Sequence, residues 1–171
     1  KGHPYSWSVI GSMEDLNAAT LDDVKEWFET YYGPTNAVIA LAGDIDLETA
    51  KIKVQEYFGD IQAGPPLTKP KKWIAKRTEQ TREVMEDNVP QTRIYKVWNV
   101  PEDGTAEAQA LDLASSTLAG SKNSPLYQEL VYKTGLATGV SAFYYGREIA
   151  GLFIISATVA PGQDVNEVEN V

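Results

Sequence analysis

Apolar positions in this chain change period several times, and each change marks an element. Val24, Trp27, Phe28 and Tyr31 recur at i, i+3, i+4 and i+7, the spacing that lines one face of an α-helix. Thr20 precedes them as an N-cap, with Asp23 at capping-box distance and Asp22 beside it in the first turn, where the helix dipole favours negative charge. The pattern predicts a helix from Thr20 to Tyr32, stopped by Gly33 in a left-handed cap and by Pro34. The period is then lost. Ala37-Val38-Ile39-Ala40-Leu41-Ala42 is continuously apolar and predicts a short strand buried on both faces, before a turn at Gly43-Asp44. Asp46 caps a second helix, Leu47 to Phe58, that turns Leu47, Ala50, Val54, Tyr57 and Phe58 to one side and ends at Gly59.

Gln62–Lys72 breaks every pattern. It holds three prolines and three lysines and reads as a stiff, exposed linker between two structural units. Beyond it, Thr81–Asp87 and Gln91–Val100 read as strands around a turn at Asn88-Val89-Pro90, rich in β-favouring side chains such as Ile94, Tyr95, Val97 and Trp98. Ala106–Leu118 is an Ala- and Leu-rich helix closed by Gly120. Ser124-Pro125 opens another, with an N-cap and a proline at the first helical position, and Gly135 closes it. Ala137–Tyr145 and Leu152–Val159 read as a hairpin. Asp164-Val165-Asn166-Glu167 starts a further helix. The abrupt opening and this uncapped close predict an internal fragment of a larger protein.

Composition narrows the functional classes. A net charge of −9 disfavours a nucleic-acid partner, which requires a basic patch. No apolar run approaches the ~20 residues of a membrane span. The absence of cysteine excludes disulfides, thiolate metal sites and a cysteine nucleophile. One histidine, His3, is too few for a His-rich zinc site or a convincing Ser-His-Asp triad. Beside Pro4, it reads as a capping or turn residue in preference to a cleft residue. The acidic pairs Glu14-Asp15, Asp22-Asp23 and Asp44/Asp46 are explained by capping, dipole and turn roles. Gly43-Asp44-Ile45-Asp46 is too sparse in oxygen ligands for calcium. Trp7, Trp27, Phe28, Tyr31, Tyr32, Tyr144 and Tyr145 are candidates for a cleft, those at helical spacing being assigned to a core. Of Tyr144 and Tyr145, on opposite sides of a strand, one is expected to be exposed.

His3-Pro4-Tyr5, Ile10-Gly11-Ser12, the Thr20–Tyr32 helix, Tyr32-Gly33-Pro34-Thr35-Asn36-Ala37, Ala42-Gly43-Asp44-Ile45-Asp46 and the segment Asn123–Val140 occur in an order and spacing that resemble the pitrilysin/insulysin family of zinc peptidases, which includes the mitochondrial processing peptidases. The resemblance covers nearly the whole chain. It implies an α+β, metallohydrolase-like fold of α/β units, each a mostly antiparallel sheet with helices on one face. Residues 1–61 are then the C-terminal part of a first, zinc-bearing unit, 62–72 the linker, and 73–171 the N-terminal part of a second, inactive-type unit.

The implied reaction is endoproteolysis of peptides or unfolded polypeptides by a zinc-activated water. The family's zinc motif, His-x-x-Glu-His plus a distant Glu, lies upstream of His3-Pro4-Tyr5, so this chain is expected to hold no catalytic or metal residue and to be inactive alone. Many active members carry an Arg on the helix of the second unit and a Tyr seven residues later that contact substrate. The matching positions here are Val131 and Thr138, neither of which supplies a cation or a phenol. Lys133 and Tyr132 are near in sequence but turned to other helix faces. The substitution implies a related second subunit that supplies the Arg/Tyr pair. The alternative is a non-catalytic structural or partner subunit acting in protein assembly. A free-standing acidic interaction domain is disfavoured by the abrupt ends. A bacterial periplasmic or envelope location is implied by the resemblance alone.

Overall fold

The computed structural model describes residues 2–171, in two units that divide between Lys69 and Pro70. The first unit is helical. Ser12 caps a short helix α1 (Met13–Ala18), its hydroxyl accepting from Asp15 N–H. Helix α2 (Leu21–Tyr31) begins with the complete capping box: Asp23 N–H donates to the Thr20 hydroxyl, and the Asp23 carboxylate accepts from Thr20 N–H at 2.8 Å. Asp46 caps α3 (Leu47–Phe58), accepting from Thr49 N–H at 2.9 Å.

Three expectations fail in this unit, each for a physical reason. Ala37–Ala42 has no ladder. A strand needs a neighbour to take its backbone groups, and among the described residues of this unit no other strand stands beside it; Val38 is 96% exposed. The aromatic stripe of α2 is not core: Trp27 is 50% exposed, and its ring packs on Phe28, Tyr31 and Tyr32 at 5.2–5.6 Å between centroids. Gly33 is not left-handed, with φ at −71°. Its reason is a close approach, because a Cβ there would stand 2.6 Å from the Gly64 nitrogen. The start of the expected linker, Gly64 included, therefore packs against its own unit.

The second unit is an antiparallel sheet of β1 (Arg93–Val100), β2 (Ala137–Gly146) and β3 (Gly151–Val159), in the order β1-β3-β2. Helix α4 (Ala106–Ala119) is capped by Thr105. Pro125–Tyr127, α5, runs into a π-helical turn over Gln128–Lys133, and α6 (Val165–Asn170) is capped by Asp164. Thr81–Asp87 is irregular, contrary to expectation. Asp87 takes the Asn88 N–H on its side chain and the Val89 N–H on its carbonyl, at 2.7 and 2.9 Å. The chain bends where the turn was expected, but Thr81–Asp87 pairs with no strand among the described residues, so its β-favouring composition has no ladder to join.

Opposed residues on antiparallel strands share a face. Ile94, Ala157 and Val140 stand in one row, and Ala157 joins Leu130, Ala137, Val159 and Val168 in the buried core, with Ile94, Leu136, Val140 and Val165 packed against it. The helices thus cover that face. The other face carries the rows Tyr95–Ser156–Ser141, Val97–Ile154–Phe143 and Asn99–Leu152–Tyr145. The α+β architecture, with helices on one side of an antiparallel sheet, is as expected from the sequence.

Candidate functional site

Val131 and Thr138 each lie on a backbone irregularity. Val131 is half-buried in the π-helical turn, which closes with Thr134 N–H donating to the Glu129 carbonyl, five residues back, at 3.0 Å. The Thr134 hydroxyl explains the widening: it donates to the Glu129 carbonyl at 2.7 Å and reaches that of Leu130 at 3.3 Å, competing with the regular ladder. Thr138 is the extra residue of a β-bulge. Ala137 pairs with Val159 and Gly139 with Thr158, leaving Thr138 exposed, its hydroxyl 3.5 Å from the Thr158 carbonyl. Such irregularities redirect side chains and recur at functional sites.

Beyond the bulge, β2 presents Ser141, Phe143 and Tyr145 to the open face. The Ser141 and Ser156 hydroxyls meet at 2.8 Å across the strands. Tyr145 is 45% exposed, and the Arg147 guanidinium stacks over its ring at 4.7 Å and donates to its hydroxyl at 3.3 Å. Tyr144 turns to the helix side and donates to the Pro101 carbonyl at 3.0 Å. Burial raises the Tyr144 phenol above its ordinary pKa, with Asp103 and then Glu102 adding to the effect. Between Tyr144 and Tyr145, Tyr145 is the exposed one. Sequence reasoning missed the Ser141–Ser156 pair and the Arg147–Tyr145 stack. Alternation from Val140 would have placed Ser141, Phe143 and Tyr145 on one face.

The open face thus offers hydroxyls and aromatic rings to a ligand laid along it. Its two serines, Ser141 and Ser156, partner each other. His3 serves as a cap, its Nδ1 accepting from Tyr5 N–H at 3.0 Å. Among the described residues no three His, Cys, Asp or Glu gather to hold a metal ion. The side chains present do not fit a catalytic zinc. Asp23 and Asp46 act as caps; hydrogen bonds from Thr20 and Thr49, respectively, hold their carboxyls below the usual range. In the first unit, an open concavity of about 550 Å³ is lined by Trp27, Tyr31, Tyr32, Asn36, Ala37 and Val38.

Residues 18–171 match the family model described as the peptidase M16 inactive domain. The chain belongs to the peptidase M16 family. A zinc protease of Helicobacter pylori, PqqE, is 31% identical over 143 residues, covering 80% of this chain and 31% of that protein. Subunit 1 of the mitochondrial cytochrome b-c1 complex of Caenorhabditis elegans is 28% identical over 183 residues, covering all of this chain and 38% of that protein. A solved structure described as a protease from Helicobacter pylori superposes with a TM-score of 0.75 at 24% identity, covering 98% of this chain and 41% of that one. The chain therefore spans about a third of the length of the curated relatives it matches.

Relatives named zinc proteases place zinc in the family, whereas the model matched here is its inactive domain. No helix of the described residues is long and apolar enough to cross a membrane.

Proposed function

We propose that this chain is the substrate-lining, non-catalytic portion of an M16 zinc metalloendopeptidase that cleaves peptides or unfolded polypeptides. In this reading, the residues before the linker complete a zinc-bearing unit and those after it begin the inactive unit. Zinc would supply the activated water from elsewhere in the parent protein. The residues of this chain bind and orient: the bulged start of β2 and the open face behind it receive an extended substrate, whose backbone finds the hydroxyls of Thr138, Ser141 and Ser156.

The observation that carries the proposal is the pairing of two redirected positions, Val131 and Thr138, with side chains that offer neither a cation nor a phenol. Electrostatic donors aimed at a developing oxyanion typically contribute ~10²–10³ in rate each. A protein without them is expected to work with a related second subunit that carries the Arg/Tyr pair. The experiment is a peptidase assay on the purified full-length protein, with and without a related neighbour that carries the Arg/Tyr pair. Activity that appears only with the neighbour supports the reading. Full activity from the lone protein, unchanged by the neighbour, sinks it.

A second reading, a structural subunit without peptidase activity, is favoured by the similarity to a subunit of a respiratory complex. It predicts no activity in either arm of the assay.

A further inference from the structure

Two rings at the π-helical turn meet at a spacing that a regular helix disfavours. Tyr127 and Tyr132 are five residues apart, and their ring centroids stand 5.4 Å from each other. In an α-helix of about 3.6 residues per turn, the neighbours of Tyr127 would be the residues three and four ahead, Leu130 and Val131, while the residue five ahead points about 140° away. Leu130 belongs to the buried core. The place against Tyr127 would therefore fall to Val131. The turn instead closes with Thr134 N–H on the Glu129 carbonyl at 3.0 Å, which makes it one residue wider, and Tyr132 holds that place.

Two side-chain interactions span the turn, and only one selects its width. Lys133 pairs with Glu129 at 2.7 Å, but both side chains are exposed and stand four residues apart, a spacing a regular helix also allows. Such a pair adds little and does not favour the wide form. The Thr134 hydroxyl acts differently. It donates to the Glu129 carbonyl at 2.7 Å, beside the Thr134 N–H, and lies 3.3 Å from the Leu130 carbonyl, the acceptor that the N–H would use in an α-helix. Beyond it, Gly135 takes a left-handed φ of +63°, and Leu136 packs against the core. The extra residue is thus absorbed between two anchors, Leu130 and Leu136.

We propose that Thr134 is a positioning residue: its hydroxyl keeps the turn one residue wide, which seats Tyr132 on Tyr127 and turns Val131 toward the substrate. The last clause rests on the proposed function, in which positions 131 and 138 receive substrate. Thr134 acts through the turn, and its hydroxyl decides whether the substrate meets the valine or the tyrosine.

The test uses the full-length protein with Thr134→Val, which keeps the branched shape and removes the hydroxyl, and with Thr134→Ser, which keeps the hydroxyl. Thr134 is exposed, so neither change removes anything from the core. Crystal structures of the three forms read the turn, and peptidase assays beside a neighbour that carries the Arg/Tyr pair read the consequence. In Thr134→Val, the amide of residue 134 is expected to move to the Leu130 carbonyl, with Val131 against Tyr127 and the Tyr132 ring displaced. As for a misplaced positioning group, kcat/KM is expected to fall by up to about 10²-fold, more through KM than through kcat, at unchanged zinc content. Thr134→Ser is expected to match the unmodified protein in both readouts. A turn that stays wide in Thr134→Val overturns the assignment of Thr134. A turn that tightens while kcat/KM stays unchanged overturns its role in presenting Val131 to substrate. An unmodified protein that is inactive beside its neighbour sinks the proposed function and the substrate clause with it, and the structures then decide whether Thr134 sets the turn.

Discussion

Tyr144 donates its phenol proton to the carbonyl of Pro101, 43 positions earlier in the chain, at 3.0 Å. The bond ties the end of β2 to the residue that terminates β1, and it depends on two glycines. A Cβ on Gly146 would lie 2.6 Å from the Tyr144 ring, and one on Gly151 would lie 2.7 Å from the Pro101 oxygen. The hairpin ends are bare so that the ring can lie across them.

Tyr144→Phe keeps the ring and removes the bond, and is expected to cost about 1 kcal/mol in urea unfolding. Gly151→Ala is expected to cost more, of order 1–3 kcal/mol, because backbone as well as ring must move. The phenol also sets an alkaline limit. Its folded pKa lies above the unfolded one, so its contribution is full below about pH 10 and is lost as pH rises through the folded value. Stability of the unmodified chain should fall above pH 10 more steeply than that of Tyr144→Phe. Parallel profiles would remove Tyr144 from the account.

The helix caps make the opposite prediction in acid. Asp23 and Asp46 are held below the ordinary carboxylate range by Thr20 and Thr49, respectively, so their stabilisation is full above about pH 4 and is lost as pH falls through the folded values. Thr20→Ala is expected to cost about 1 kcal/mol near neutrality. An NMR titration of the variant should return Asp23 toward an ordinary carboxylate pKa, and an unmoved Asp23 would dissociate it from the cap.

What the sequence discloses divides along a physical line. Thr20, Asp46 and Asp164 each cap the helix expected of them, because capping is settled within four residues. The hairpin from Ala137 was legible because its strands are neighbours in sequence. Ala37–Ala42 and Thr81–Asp87 were misjudged because a strand exists only with a partner, which local composition does not name. At the candidate site, positions 131 and 138 were marked by resemblance. The π-helical turn and the bulge that reorient them arise from Thr134 and from the pairing of Gly139 with Thr158, neither of which has a sequence period.

Proteolysis should distinguish the connector from the elements beside it. Lys69 precedes Pro70 and resists trypsin, and Lys72 is held by Glu102, so the first cut is expected after Lys71, ahead of Lys25 inside α2. Cleavage at Lys25 as early as at Lys71 would argue against a separate connector.

Zinc binding offers an independent check on the division of labour. With its single histidine engaged as a cap, the chain is expected to retain far less than one equivalent of zinc through dialysis in chelator-free buffer, measured by atomic absorption. Stoichiometric retention that disappears in His3→Ala would make His3 a ligand and overturn the site assignment.

The strongest test of the site installs what it lacks. Val131→Arg/Thr138→Tyr places a guanidinium on the π-helical turn and a phenol on the bulge, tested in the parent protein to which the proposed function assigns a zinc unit. Val131 is half-buried, so the arginine must run its stem along apolar surface and carry its charge outward. Thr138 is exposed, and the bulge leaves room for a ring. If these two positions face the reacting peptide, the doubly substituted parent should gain activity without its neighbour. Each single substitution should gain less, because a donor typically contributes ~10²–10³ only when the substrate is held by the rest of the site. The gain should appear in kcat more than in KM, since charge that develops in the transition state is what the new donors meet. A parent that folds, binds zinc and stays as inactive as before would show that positions 131 and 138 do not face substrate, and would favour the structural subunit over the peptidase.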